Sequence, residues 1–203
     1  MAELQVIVLA AGMSHRMADD NKLLLPVGGM PLVRLTVSRM AMLRDAEVTV
    51  VLGHEAELVA AALAGIDARL VVNHRFGDGQ MTSVHCGLTA AGKADNFMIV
   101  PADMPRLSAA DCEALLAAHE AAPKGRVTVP FRGEGAARQR GNPITLPAEA
   151  VAGILDGGVK LGCRGLLEQQ PDLMFPVEMG SDGYFVDLDT PEAYAAETAF
   201  RAA

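Results

Sequence analysis

The stretch LQVIVLAAGMSHRMADDNK, residues 4–22, decides how this chain folds. Its apolar beginning, LQVIVLA, has the pattern of a buried first strand, and the small residues AAG at 10–12 follow directly. The backbone of such a loop can approach a ligand closely, and its successive N–H groups can bind an anion. Arg16 offers a planar fork for phosphate oxygens, and Lys22 offers a mobile point charge. From the residues alone, the loop is either a tight turn with two solvated cations or a cradle for a nucleoside triphosphate.

Composition limits the partners that this chain is expected to have. The 203 residues are 51% hydrophobic and carry a formal net charge of −8. That charge disfavours a broad nucleic-acid surface, and no apolar run approaches the ~18 residues that span a bilayer. No basic segment precedes the first apolar run, so we expect no signal peptide. The odd count of three cysteines favours a reducing compartment. We therefore expect a cytoplasmic protein that binds neither nucleic acid nor membrane.

Strand-like and helix-like segments alternate along the chain, and this alternation predicts an α/β fold. We expect a single domain over residues 1–203. Its predicted architecture has three layers, in which a mostly parallel, twisted sheet carries helices on both faces, as in Rossmann-like folds. One of the later helices is expected near residues 162–169.

Several local signals predict where elements begin and end. Pro31 suits the first position of a helix, and Ser108 suits an N-cap with Asp111 as the third helical residue. The polar segment at 132–143, rich in Gly and Arg, predicts a mobile loop. The segment YFVDLD, at 184–189, predicts a short strand.

Acidic residues at two places could serve either structure or chemistry. Asp103 ends an apolar strand, where it is either a cap for the next segment or a hard oxygen ligand for Mg²⁺. Asp187 and Asp189 pose the same choice, because Thr190 and Pro191 after them suit a helix start. Ligands of open parallel sheets gather beyond the carboxyl ends of the strands. The first loop, the loop HRFGDGQ after the third strand and Asp103 after the fourth are expected to meet there. The five histidines form no ligand pattern and no covalent nucleophile is indicated, so the expected chemistry is positioning and charge stabilisation, as in phosphoryl transfer.

Beyond these residue-level arguments, the segment LAAGMSHRMADDNKLLLPVGGMPLV resembles the signature LAAGxSxRMGxxK…GxPLL of MobA-like nucleotidyltransferases. Within that family the chain is most similar to molybdenum cofactor cytidylyltransferases. The likeness continues through four further segments: QMTSVHCGL, PADMP, RGNPITLP and DLDTPEAY. The combination of NKLL, QMTS and DLDTPE favours the cytidylyl over the guanylyl branch.

This resemblance implies a reaction and a set of roles. CMP would pass from CTP to a terminal phosphate of molybdopterin with release of pyrophosphate, in a Mg²⁺-dependent reaction, and a molybdoenzyme would receive the product. The implied catalytic residues are Arg16, Lys22 and Asp103. The implied nucleotide-binding residues are Leu9, Ala10, Ala11, Gly12, Ser14, Arg16, Lys22, Thr82 and Ser83. Asp103, Asp189 and Asp187 would bind the metal, and Asn142 would face the acceptor.

The sequence departs from the family pattern at four places, where Ala18, Gln80, Ala102 and Lys160 replace the residues expected there. Three other functions stay open, and Lys160 in particular keeps the non-catalytic one open. One is a transferase that uses GTP or another phosphorylated acceptor. A second is a nicotinamide-dependent oxidoreductase on the same fold, and a third is a non-catalytic relative that binds the cofactor.

Overall fold

The computed structural model describes residues 3–14, 17, 21–157 and 167–202. The strands are β1 (Leu4–Ala10), β2 (Pro26–Val27), β3 (Met30–Pro31), β4 (Ala46–Leu52), β5 (Arg69–Val72), β6 (Asn96–Pro101), β7 (Val127–Arg132), β8 (Gln139–Arg140), β9 (Ile144–Pro147) and β10 (Met174–Glu178). The helices are α1 (Leu32–Met40), α2 (Ala56–Ala62), α3 (Gln80–Ala90), α4 (Ala109–Glu120), α5 (Ala148–Asp156) and α6 (Pro191–Ala202). Residues 167–169 are also helical, and the rest of the helix expected there lies outside the described residues.

The strands form one large twisted sheet in the order β10-β7-β9-β6-β1-β4-β5, with β8 added to β7. The pairs β1–β4, β1–β6, β4–β5 and β7–β10 are parallel. Strand β9 runs antiparallel to both of its neighbours, β6 and β7. The predicted mostly parallel sheet is therefore confirmed, with β8 and β9 as antiparallel additions.

Helices cover both faces of this sheet, because each central strand sends apolar side chains alternately to either side. In β1, Val6 and Val8 join a core with residues of α1, α2 and α4. The intervening Ile7 joins a second core with residues of α3 and α5. Gly87 lets α3 lie directly on the sheet, since a Cβ there would collide with the side chains of Ile7 and Val51. The three-layer expectation is confirmed.

Strand order reverses beside β1, and this reversal opens a crevice at one end of the sheet. The chain moves from β1 through α1 to β4 and through α2 to β5, and then crosses by α3 to β6 on the other side of β1. Connections therefore leave the carboxyl ends of β1 and β6 in opposite directions, which is where such sheets bind ligands. Leu9 and Pro101 are register partners at that point.

Three local expectations were wrong. Pro31 is not helical but extended in β3, where it pairs with Pro26, so α1 begins at Leu32. The segment at 132–143 is not a continuous loop, because β8 within it pairs with β7. Residues 184–189 form no strand, since the N–H groups of residues 184–186 bond back to Ser181 and Asp182 in a short turn and Leu188 N donates to Asp103 O. The predicted start of α4 at Ser108 is confirmed. Within the described ranges, every helix is too short or too polar to traverse a lipid bilayer.

Candidate functional site

Two cavities meet at the carboxyl ends of β1 and β6, and both are lined by Leu9, Gln80 and Pro101. The first, of about 290 Å³, lies between residues 11–13 and the segment 76–80 and is called the loop cavity here. The second, of about 510 Å³, lies between α3 and the β8–β9 region and is called the strand cavity. Ligands in the two cavities would therefore be neighbours, which is the arrangement that a group transfer requires.

Lys22 joins the two acidic segments that the sequence singled out. Its Nζ donates hydrogen bonds to Asp103 Oδ2 at 2.5 Å and to Asp189 Oδ1 at 2.6 Å. Residues that are 81 and 167 positions away from Lys22 are thus brought to one point. Asp187 is exposed and lines a small adjoining cavity together with Asn142.

The backbone around Asp103 is held from several directions. Ala102 N donates to Leu9 O at 3.1 Å, which ties the end of β6 to that of β1. The buried Thr36 hydroxyl of α1 donates to Ala102 O at 3.0 Å. Leu188 N donates to Asp103 O at 3.0 Å, and this bond places Asp189 beside Asp103. The carboxylate pair is therefore positioned by hydrogen bonds to the main chain on either side of it.

Electrostatics around Lys22 favour its charged form. Burial alone would lower the pKa of Lys22, but the charges and hydrogen bonds of Asp103 and Asp189 together outweigh it, so the pKa lies above its usual value. The other oxygen of Asp103, Oδ1, is buried and has no hydrogen-bond partner among the described residues. A buried carboxylate oxygen without a partner is costly unless something else binds it.

That orphaned oxygen fits a divalent cation. Mg²⁺ takes hard oxygen ligands and is commonly held by one or two carboxylates plus substrate phosphates. Asp103 and Asp189 supply two such carboxylates. Within the described residues, no group of three or more His, Cys, Asp or Glu side chains forms a cage for a metal. The residues present therefore suit a metal that arrives with phosphates more than a metal held by protein alone.

The loop after β1 is shaped by its own polar side chains. Ser14 has a positive φ of 51°, and its Oγ accepts a hydrogen bond from Lys22 N at 3.2 Å. Asn21 caps the short turn that follows, because its Oδ1 accepts from Leu23 N at 3.1 Å. Ser14, proposed from the family pattern as a nucleotide contact, thus orients Lys22 here. Arg16 lies outside the described residues.

Asn73, which the sequence reasoning missed, organises the other wall of the loop cavity. It is buried directly after β5, and its Nδ2 donates to Thr82 Oγ1 at 2.8 Å and to Ser83 Oγ at 3.0 Å. Its Oδ1 accepts from Arg75 N at 2.9 Å. The Thr82 hydroxyl in turn donates to Gly79 O at 2.8 Å. The sequence does carry a signal for Asn73, namely an amide residue at the carboxyl end of a strand that is followed by a turn.

Of the predicted nucleotide contacts, most but not all line the loop cavity. Thr82 is buried and committed to the Asn73 network, and the side chain of Ala10 packs into the core below the sheet end. The predicted nucleotide contacts that do line this cavity are Leu9, Ala11, Gly12, Lys22 and Ser83, and the predicted metal ligand Asp103 lines it as well.

The wall of the strand cavity depends on a close approach of two loops. A Cβ on Gly141 would lie 2.6 Å from Tyr184 O and 2.7 Å from the Phe185 ring, so only glycine fits. Asn142 N donates to the same carbonyl, Tyr184 O, at 2.9 Å. Asn142 therefore lines the strand cavity, as does Arg140, and its contact with an acceptor stays a prediction.

An ion-pair network holds the segment that carries Asp189, and it too was not foreseen. Arg106 Nε donates to the buried Glu197 of α6 at 2.8 Å, and Arg106 Nη1 lies 3.2 Å from Asp182 Oδ2. Arg132 Nη1 also donates to Asp182, at 2.7 Å. The hydrogen bond from Arg132, followed by the charges of both arginines, lowers the pKa of Asp182 below its usual value. The network fastens the carboxyl-terminal segment to the loop after Asp103.

The comparison with known families agrees with this geometry. Residues 6–173 match the family described as the MobA-like NTP transferase domain. The chain belongs to this family. Its resemblance to MobA-like proteins, inferred from the motifs, is thereby confirmed.

Individual relatives show how far the similarity extends. The chain is 30% identical over 189 residues to the nicotine blue oxidoreductase of Paenarthrobacter nicotinovorans, covering 92% of each protein. It resembles a solved nucleotidyl transferase from Methanothermobacter thermautotroptrophicus, with 25% identity, a TM-score of 0.80 and 99% of both chains covered. It also shares its fold with Rv0371C of Mycobacterium tuberculosis H37Rv, solved in complex with manganese, with 20% identity, a TM-score of 0.69 and coverage of 97% of this chain and 98% of that one.

Proposed function

We propose that this chain is a Mg²⁺-dependent nucleotidyltransferase that transfers CMP from CTP to a phosphorylated acceptor of the molybdopterin type. The observation that carries the proposal is the meeting of Asp103, Asp189 and Lys22 at the loop cavity, whose wall includes Lys22 and Asp103. There the ammonium group, and a cation held by the two carboxylates, can offset the negative charge of a triphosphate. Membership of the nucleotidyltransferase family supports this reading of the site.

In this proposal the loop cavity receives the nucleotide. The backbone of residues 9–12 and the Ser83 hydroxyl contact the base and phosphates. Lys22, which lines the cavity, binds the triphosphate together with Arg16. Asn73 keeps the segment 76–83 in place from behind.

The strand cavity receives the acceptor. Its walls are largely apolar, with Met81, Val84 and Ile144 among them, and Arg140 and Asn142 provide polar groups at its rim. An organic acceptor with an anionic end suits such a mixture, because apolar walls bury the body of the ligand and a few polar groups orient it. The terminal phosphate of the acceptor would then face the α-phosphorus of CTP.

The chemistry forms a bond between an acceptor phosphate oxygen and the α-phosphorus, and it breaks the bond between that phosphorus and the oxygen bridging to the β-phosphate. Pyrophosphate leaves with the bridging oxygen. Lys22 and Arg16 offset the negative charge that grows on the departing group. Asp103 and Asp189 would hold Mg²⁺, which supplies further charge stabilisation to the phosphates when bound. The protein thus acts by positioning and neutralisation and forms no covalent intermediate.

Pyrophosphate release is the direct test. The wild-type protein is incubated with Mg²⁺, molybdopterin and either CTP, GTP or ATP. We expect release with CTP to exceed that with GTP, and Asp103→Asn to lower turnover by about 10²-fold or more. Asp67→Asn, an exposed carboxylate beside β5, is the matched control and keeps full turnover. No release with any nucleotide from folded protein would overturn the proposal, and preference for GTP would overturn only the base assignment.

A second candidate, a nicotinamide-dependent oxidoreductase, is favoured by one observation. The relative that is 30% identical across 92% of both chains is named a nicotine blue oxidoreductase. In this alternative the same crevice holds a nicotinamide dinucleotide and the strand cavity holds a planar dye. Oxidation of a reduced nicotinamide by such a dye, retained in Asp103→Asn and without pyrophosphate release, would select this function over the transferase.

A further inference from the structure

We propose that Lys22 is a resident counter-ion that competes with the divalent cation for Asp103 and Asp189. In this scheme the protein alone binds the metal weakly. A triphosphate draws the lysine away and thereby opens the carboxylates to the metal. The inference rests on the proposed function only for the presence of a metal and a triphosphate at this site.

Lys22 Nζ lies 2.5 Å from Asp103 Oδ2 and 2.6 Å from Asp189 Oδ1, so the ammonium group occupies the point between the two carboxylates. A cation that used both of those oxygens as ligands would need the same point. The side chain of Lys22 is only 12% exposed, which leaves little room for a second cation beside it. Lysine and metal therefore exclude each other at this position.

The lysine satisfies the carboxylates incompletely. Asp103 Oδ1 is buried without a hydrogen-bond partner among the described residues, although Oδ2 of the same group is bound. A single ammonium group satisfies one oxygen of Asp103, whereas a divalent cation brings twice the charge and several ligand positions. The site is thus stable with lysine but better matched to a metal.

Lys22 can also bind a ligand in the loop cavity instead of the carboxylates. It lines the loop cavity, and its four-carbon stem lets the ammonium group move. A triphosphate in that cavity offers oxygens that can replace both carboxylates as partners of the lysine. Binding of the nucleotide then frees the carboxylates, and the metal binds them and the phosphates together. Because the two binding equilibria are linked, the metal must strengthen nucleotide binding by the same factor by which the nucleotide strengthens metal binding.

Direct metal binding tests this competition without any turnover. Free Mn²⁺ is measured by electron paramagnetic resonance during titration of wild type, Lys22→Met and the control Lys93→Met, an exposed lysine just after α3. Each is titrated alone and with a non-hydrolysable CTP analogue. We expect Lys22→Met to bind Mn²⁺ alone about tenfold more tightly than wild type, within the usual range of such couplings. Lys93→Met should behave as wild type.

The analogue supplies the second readout. In wild type it should tighten Mn²⁺ binding, and in Lys22→Met the additional tightening should shrink, because no lysine remains to be displaced. Thermal unfolding in EDTA and in Mn²⁺ checks that each variant is folded. Mn²⁺ should raise the unfolding temperature of Lys22→Met more than that of wild type, because the two carboxylates of this variant face each other.

Three outcomes would overturn the inference. The first is Mn²⁺ binding by folded Lys22→Met that is equal to or weaker than that of wild type. The second is an equal increase of Mn²⁺ affinity in Lys93→Met, since this would indicate a general effect of removing one positive charge. The third is tight binding that survives Asp103→Asn in the Lys22→Met background, because the metal would then lie elsewhere. Absence of pyrophosphate release with these Mn²⁺ results intact would instead defeat only the proposed function.

Discussion

Helices α3 and α4 begin in opposite ways, although both follow strands of the same sheet. Helix α4 starts with a complete capping box, in which Ser108 Oγ accepts from Asp111 N at 3.1 Å and Asp111 Oδ2 accepts from Ser108 N at 2.9 Å. Helix α3 starts at Gln80 after Gly79 with no side-chain cap, and both residues line the loop cavity. One helix start is thus closed by its own side chains and the other faces the crevice.

The starts of α3 and α4 therefore have different roles. The first N–H groups of a helix need partners, and in α4 the sequence provides them locally. In α3, Asn73 instead donates hydrogen bonds to the hydroxyls of Thr82 and Ser83. The start of this helix is left facing the loop cavity, where we propose that the nucleotide binds. Substitutions around α3 should therefore change both stability and ligand binding, whereas those in α4 should change stability alone.

The largest effect is expected for Asn73→Ala. It removes two donors and one acceptor at once and leaves the buried Thr82 and Ser83 without these bonds. We expect a loss of about 3 kcal/mol in the free energy of unfolding and at least about tenfold weaker CTP binding by calorimetry. Asn96→Ala, at the far end of β6, is the control. Full CTP affinity in Asn73→Ala would mean that the start of α3 does not depend on this support.

Gly79→Ala should cost about 1–3 kcal/mol, because φ of 109° and ψ of 164° are essentially restricted to glycine. A Cβ there meets no atom within 4 Å, so the cost is conformational and not steric. Gly153→Ala in α5 also meets open space and should instead stabilise the protein by about 0.5–1 kcal/mol. Urea denaturation measures both. Equal effects of the two substitutions would contradict the conformational explanation.

Ser108→Ala should destabilise the protein by about 1 kcal/mol through loss of the cap. CTP affinity should stay unchanged, because the α4 cap does not line either cavity. Urea denaturation and calorimetry on the same sample separate the two quantities. Weaker CTP binding in this variant would remove the distinction between the two helix starts.

The smallest effect concerns pH and the far end of α4. His119 is buried there, with Nδ1 2.8 Å from Thr128 Oγ1, and burial lowers its pKa below the usual value. The unfolded chain therefore takes up a proton first as pH falls below about 6.5, so stability should decline from there as the solution becomes more acidic. His119→Gln should flatten this decline in urea titrations at several pH values, and exposed His74→Gln should not. An unchanged slope in His119→Gln would assign the acid sensitivity to other groups.

Local patterns predicted those features whose causes lie within a few residues. The apolar run of β1, the box at Ser108 and the alternation of strands and helices were predicted in this way. Pro31 was misassigned because its pairing with Pro26 outweighs its preference for a helix start. Strand β8 was missed because its pairing with β7 depends on the partner strand more than on its own two residues.

The sequence by itself determined the family, the open α/β sheet, and the candidacy of Lys22, Asp103 and Asp189. Small-residue loops, strand ends and charged residues can all be recognised from the order of residues. Only the tertiary structure decided that one ammonium group lies between both carboxylates. It also decided that Asn73 supports the start of α3. Those contacts join residues far apart in the chain, and their distances depend on the order of the strands and on how loops pack across the end of the sheet.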